Sequence, residues 1–230
     1  MYLTAIQRTI RQIPEPAFFK VLVIGLLLTA LALLAATVAA GYVSPLVYES
    51  DWNWLNTLIQ WAVQLAAVWL SFILFVPLSA VFVSIFLDSV VDAVEARYYP
   101  HRLAGPPLGL VKAGWLGLRL GAVVLVANVA ALPLYLLTFW IPFVAVAIFY
   151  GINAYLLGWG FYDLIATRHM EARDAAQHRR TIRTELLLTG LLITLLFSIP
   201  VVNLAAPILG AAFFVHIFHA TLGPPGAGEA

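Results

Sequence analysis

The sequence predicts an all-α integral membrane protein, and three observations lead there: a large excess of apolar residues, four long stretches without charge, and basic residues confined to alternate connections. Of 230 residues, 63% are hydrophobic and only 10% charged, with a mean hydropathy of +0.97. Soluble domains carry about 45–50% apolar and about 25% charged residues, so composition excludes a water-soluble fold. There is no cysteine, which removes disulfides, thiolate metal sites and thiol nucleophiles from consideration.

Taken in order, residues 2–13 place Leu3, Ile6, Ile10 and Ile13 on one helical face, with Arg8 and Arg11 off it. That is the pattern of an amphipathic helix lying on a membrane surface. Val21 to Tyr48 follows without a charge. It is too long for the apolar region of a signal peptide, and it holds one membrane span ending near Ser44 and Pro45. Trp52 to Leu87 is the second span, with a kink or break predicted at Pro77.

Leu120 to Tyr162 runs 43 residues without a charge. As a single helix it would reach about 65 Å, twice the roughly 30 Å hydrocarbon core, so it must fold back, and Phe139 to Pro142 is the natural place. Leu186 to Leu222 is interrupted by Ser198, Pro200, Asn203 and Pro207. Its first arm, Leu186 to Ile199, is about 21 Å long, too short to cross, and predicts a re-entrant hairpin. Asp163 to Glu185 mixes acids, arginines and histidines and predicts a solvated helix. Residues 1–222 read as one membrane domain, followed by a disordered Pro/Gly-rich tail over 223–230.

All 12 basic residues fall in the N-terminal segment, the second connection or the third; the first connection, around Glu49 and Asp51, has none. The positive-inside rule then places both termini and every basic residue in the cytoplasm.

Asp88, Asp92 and Glu95 share one helical face where the second span ends. Carboxylates at a helix C-terminus oppose the macrodipole and need cations, for which Arg97, Arg119 and Arg168 are candidates. With Asp163 these residues form either an ionic network that pins the hairpin bases or the polar lining of a solute pathway. The hairpin tips, at Pro142 and at Pro200, Asn203 and Pro207, aim helix N-termini into an apolar region that suits an anion, with Asn203 as the cap of the second arm. The ordinary alternative is that any membrane hairpin needs such turn residues. His216 and His219 stand at i, i+3 and could hold a metal or satisfy free carbonyls near the last helical turn; no metal is expected, because no histidine matches the carboxylates of the Asp88 helix in spacing. Gly117 and Gly121 are a small-residue pair for close helix approach. The tryptophans, among them Trp52, Trp54, Trp61, Trp140 and Trp159, fit interfacial belts or hairpin tips.

No Gly-x-Ser-x-Gly, His-Glu-x-x-His, P-loop or dinucleotide pattern occurs, and no charge lies inside the apolar stretches to build a proton relay. Neither an enzyme, nor a cofactor, nor nucleic-acid binding is expected.

Three segments, Leu87-Asp88-Ser89-Val90-Val91-Asp92-Ala93-Val94-Glu95-Ala96-Arg97-Tyr98-Tyr99-Pro100, then Tyr155-Leu156-Leu157-Gly158 through Asp163 to Arg168-His169, and Ile199-Pro200-Val201-Val202-Asn203-Leu204-Ala205-Ala206-Pro207, resemble in order the bacterial CysZ-like (EI24-domain) membrane family. The flavour is that of its alphaproteobacterial branch. The resemblance implies two full transmembrane helices plus two hemi-penetrating helical hairpins, a homo-oligomer among inner-membrane lipids, and sulfate as the solute. Leu120 to Tyr162 alone also admits a reading as two complete spans. In one respect the chain departs from the pattern: family members acting on sulfate carry Gly-Leu-Arg near the start of the first membrane helix, where this chain reads Pro14-Glu15-Pro16-Ala17-Phe18-Phe19-Lys20. Gly117-Leu118-Arg119 lies elsewhere and is not its equivalent. Two functions follow as candidates: an anion permease or channel, or a membrane organiser that meets a partner protein or anionic lipid through Arg179, Arg180 and Arg183.

Overall fold

The structure, a computed structural model, describes residues 1–48, 50–103, 105, 109–200 and 202–223. Among them every regular element is helical: α1 (Tyr2–Gln12), α2 (Pro16–Val47), α3 (Asn53–Ile85), α4 (Leu87–Tyr98), α5 (Leu110–Ala130), α6 (Leu132–Leu137), α7 (Pro142–His169), α8 (Ala172–Thr181), α9 (Arg183–Phe197), a 3-10 turn (Val202–Leu204) and α10 (Ala206–Thr221). Four helical stretches are long and apolar enough to cross a membrane: Pro16–Leu46, Asn53–Phe75, Gly117–Leu137 and Pro142–His169. The arms α9 and α10, of 15 and 16 residues, reach only about 22–24 Å. Of the expected tail over 223–230, residues 224–230 lie outside the described residues, as does Glu49.

Helix α1 lies with its apolar stripe outward: Leu3, Ile6, Ile10 and Ile13 are exposed, while Ala5, Thr9 and Gln12 are buried. Three expectations need correction. Helix α3 is not broken at position 77 but runs on to Ile85 and ends at Phe86, where φ −103° and ψ 5° leave the helical region; membrane helices tolerate a lost backbone bond. Asp163 to Glu185 is not one helix but the end of α7, all of α8 and the start of α9. Of the Gly117 and Gly121 pair, only Gly117 approaches a neighbour, the Ser84 side chain; a Cβ on Gly121 would meet nothing within 4 Å.

The closest approach is between α7 and α9, where Gly158 lies against Gly190 and a Cβ added to Gly190 would stand 2.8 Å from the Gly158 nitrogen. Without side chains the two backbones can touch, the usual route to tight helix pairs in membranes. The pair is antiparallel, and farther along it the Tyr150 hydroxyl donates to Ser198 Oγ at 3.0 Å. Tyr150 lies eight residues inside the start of α7, so the second hairpin turns about 12 Å short of Pro142.

The buried core sits at the opposite end. Val90, Val91 and Val94 of α4, Tyr162, Ile165 and Ala166 of α7 and Phe214, Ile217 and Phe218 of α10 pack there with almost no exposure. The N-terminal segment and the second and third connections converge at this end. Arg8 donates to Tyr99 Oη at 3.3 Å, the Gly105 N–H to the Arg168 carbonyl at 2.9 Å, and Arg97 pairs with Glu15.

Candidate functional site

At that end the face carrying Asp88, Asp92 and Glu95 is satisfied from α7. Arg168, its side chain 1% exposed, reaches Asp92 at 2.5 Å and Asp88 at 3.6 Å, and donates to the Gly105 carbonyl at 3.1 Å. Of the three candidate cations, Arg168 makes these pairs; Arg97 binds Glu15 instead, and Arg119, exposed on α5, lines a cavity with Asp163. Asp163 itself takes Arg179 at 3.1 Å. Asp88 and Asp92 thus share Arg168, and one helical turn further Glu95 meets His169 at 2.7 Å and His219 at 3.1 Å.

His216 and His219 do not act as a pair. Burial pushes the Tyr99 hydroxyl up despite Arg8 beside it, and Tyr99 Oη shares a hydrogen bond with His216 Nδ1 at 3.0 Å. Its ring stacks on His219 at 4.0 Å between centroids. Among the described residues, the hydrogen bonds these histidines make run to Tyr99 Oη and Glu95 Oε1, not to helix carbonyls. His169 and the Glu95 contact escaped the sequence, since the partners come from three different helices. An approximate sign was available: two histidines and one acid each fall within the last turn or so of their helices.

The hairpin tips frame a second region. Pro142 opens α7, and Pro207 falls in the first turn of α10, where a missing N–H costs nothing. Pro200 lies exposed in the turn. Asn203 does not cap α10 as expected; it sits in the 3-10 turn with its N–H donated to the Ile199 carbonyl, and Ala205 holds the cap position. From Ser198 and Pro207 a cavity of about 580 Å³ runs past Thr194 and Asn153 to Thr167, Asp163 and Arg119. Asn153 and Asn128 exchange side-chain hydrogen bonds at 3.1 and 3.2 Å, and Tyr135 donates to Asn128 at 3.2 Å. These amides lie in a charge-free stretch, where polar side chains are scarce enough to have marked them as a candidate site.

A separate cavity of about 470 Å³ is lined by Arg179, Arg180 and Arg183 with Tyr155, Trp159, Leu186 and Leu187. Arg179 lies over the Trp159 ring at 5.0 Å.

In keeping with the helical architecture and the long apolar helices, a family model described as sulfate transporter CysZ/etoposide-induced protein 2.4 matches residues 5–207. The chain belongs to this EI24 family. No curated protein matches it. The EI24 match spans the Asp88 face, the first hairpin and Pro200 to Pro207, and stops before His216 and His219. It makes the chain a sulfate-transporter-like membrane protein in the sense of its family's description.

Proposed function

We propose that the chain is a passive permease or channel-like protein for a small inorganic anion, sulfate first, in a bacterial inner membrane, with both termini cytoplasmic. The observation that carries this is the cavity from Ser198 and Pro207 to Arg119. It joins the N-terminal end of α10 at Pro207, where the helix dipole is positive, to the exposed cation Arg119, with amide and hydroxyl groups between. Such a path attracts an anion without holding it too tightly, which conduction requires. The hairpin turning about 12 Å below Pro142 supports the hemi-penetrating reading of α9 and α10, while α5 and α7 are long enough to cross completely. Asp88, Asp92 and Arg168 then hold the cytoplasmic mouth in shape.

Radiolabelled sulfate uptake into proteoliposomes is the test. Uptake above empty vesicles is expected, with Arg119→Glu cutting it several-fold. Equal uptake at every gradient retires the sulfate proposal. Because the chain lacks Gly-Leu-Arg at the first membrane helix, phosphate, thiosulfate and chloride belong in the same assay.

A specific observation also favours the second function, docking to anionic lipid. The cavity under Arg179, Arg180 and Arg183 is lined by these cations together with Leu186 and Leu187, the mixture of charge and apolar surface that a headgroup and its acyl chain would meet. Each basic residue near such a surface is worth about 1 kcal/mol. Joint Arg179→Glu and Arg180→Glu substitution should abolish cosedimentation with anionic vesicles and spare sulfate flux; unchanged cosedimentation would reject this function.

A further inference from the structure

The Glu95, His169 and His219 cluster lies in a part of the molecule that neither function uses. One oxygen, Glu95 Oε1, faces His169 Nε2 at 2.7 Å and His219 Nε2 at 3.1 Å. The ligand atoms of the three residues lie within 4.8 Å of one another. The two imidazole planes meet at 89°, so their nitrogen lone pairs approach from different directions instead of stacking in parallel. We propose that these residues form a binding site for a divalent transition-metal ion of the zinc type, with an open coordination position.

Donor chemistry selects the class. Two imidazoles and one carboxylate suit zinc and neighbouring first-row ions, whereas magnesium and calcium prefer all-oxygen cages. Ligand atoms of a tetrahedral zinc lie about 3.3 Å apart, as bonds of about 2.0–2.2 Å require, so the contacts of 2.7 and 3.1 Å to Glu95 must open by about 0.6 and about 0.2 Å. Three protein ligands leave the fourth position to water or a solute.

Electrostatics point the same way. Glu95 lies in the last turn of α4, His169 ends α7, and His219 lies in the last turn of α10. Three helix C-termini, each carrying a partial negative charge, thus meet at one carboxylate, a place that favours a cation. The setting is also rigid and dry: the Glu95 and His219 side chains are 1% and 0% exposed, Tyr99 stacks on His219, and the Phe218 ring stands 5.1 Å from His169. His169 keeps 10% of its side chain exposed, which provides the way in.

The test uses the full-length, untagged protein in detergent, stripped with chelator and titrated with Co(II). The expected result is a visible d–d absorption that saturates at one Co(II) per chain, is displaced by Zn(II) and is untouched by Mg(II). His169→Gln, at the least buried ligand, should weaken binding at least tenfold while the protein still elutes as a folded species; Glu95→Gln should do the same, and His101→Gln should leave it intact. Absence of the absorption in the wild-type protein overturns the site whatever the variants do, and so does binding that survives His169→Gln unchanged. Sulfate flux is not measured, so this result is independent of the transport proposal.

Discussion

The base of the molecule and its wall are built on opposite terms. At the base, α10 buries nearly every residue from Ala206 to His219, and α4 and α7 close over it. Along the wall, no residue from Asn53 to Phe75 is buried, and Trp61, Leu65, Trp69, Phe72 and Ile73 all face outward. In hydrocarbon an exposed leucine loses nothing, because lipid tails are as apolar as another helix. The wall therefore needs no internal apolar burial, while the base depends on polar pairing and backbone contact. Substitutions should weigh on the base and spare the wall.

The largest effect is expected at Arg168. Its removal leaves Asp88 without this cation in a nearly water-free site, and breaking a buried ion pair from one side costs about 3–5 kcal/mol. Arg168→Ala should lower the melting temperature in detergent more than any other single change at the base, and a melting temperature within two degrees of wild type would show that the network does not hold the base together. Next is Gly190→Leu, which drives a side chain into the Ala154 carbonyl and Gly158. Overpacking costs typically 1–3 kcal/mol, and here the obstacle is backbone, so the upper end is expected. Gly121→Leu, facing open space, is its control; equal losses from the two would refute the close α7–α9 contact.

A smaller effect comes with pH. Burial lowers the pKa of His178 below 6.5, against a backbone hydrogen bond with Thr221 that raises it. It is therefore neutral in the folded protein, and its contribution is complete above 6.5. As pH falls from 6.5 toward the lowered value the unfolded chain takes up the proton first, so stability is lost. The melting temperature of the wild type should drop between pH 7.5 and 5.5 by more than that of His178→Gln; parallel curves would show that His178 is not buried as a neutral imidazole.

The same division explains what was legible in the sequence. The wall and its turns are one-dimensional properties: charge-free length set the spans, and the excess length of Leu120 to Tyr162 forced a fold-back within residues 138–141, where α6 gives way to α7. The base is three-dimensional. The spacing of Asp88, Asp92 and Glu95 showed a common face, and nothing in spacing could tell that Arg168 rather than Arg97 would reach it, because Arg97 is drawn to Glu15, 82 positions away. Gly158 and Gly190 looked like ordinary glycines until α7 and α9 were set side by side. At Pro77 the helix is not broken, because membrane helices tolerate a proline that would end a soluble one.

The smallest effect expected is also the most informative about assembly. Leu65 is 57% exposed on α3, so Leu65→Ala leaves no cavity within the chain and should change stability by less than about 0.5 kcal/mol, as for any substitution away from packed contacts. Buried Leu→Ala changes cost about 2–5 kcal/mol. A loss of that size at Leu65, measured by thermal unfolding in detergent, would mean that the α3 face is covered, and a second copy of the chain is the cover that the expected homo-oligomer supplies. Crosslinking through Leu65→Cys would then trap a dimer, whereas a neutral Leu65→Ala and a monomeric Leu65→Cys leave this face to lipid.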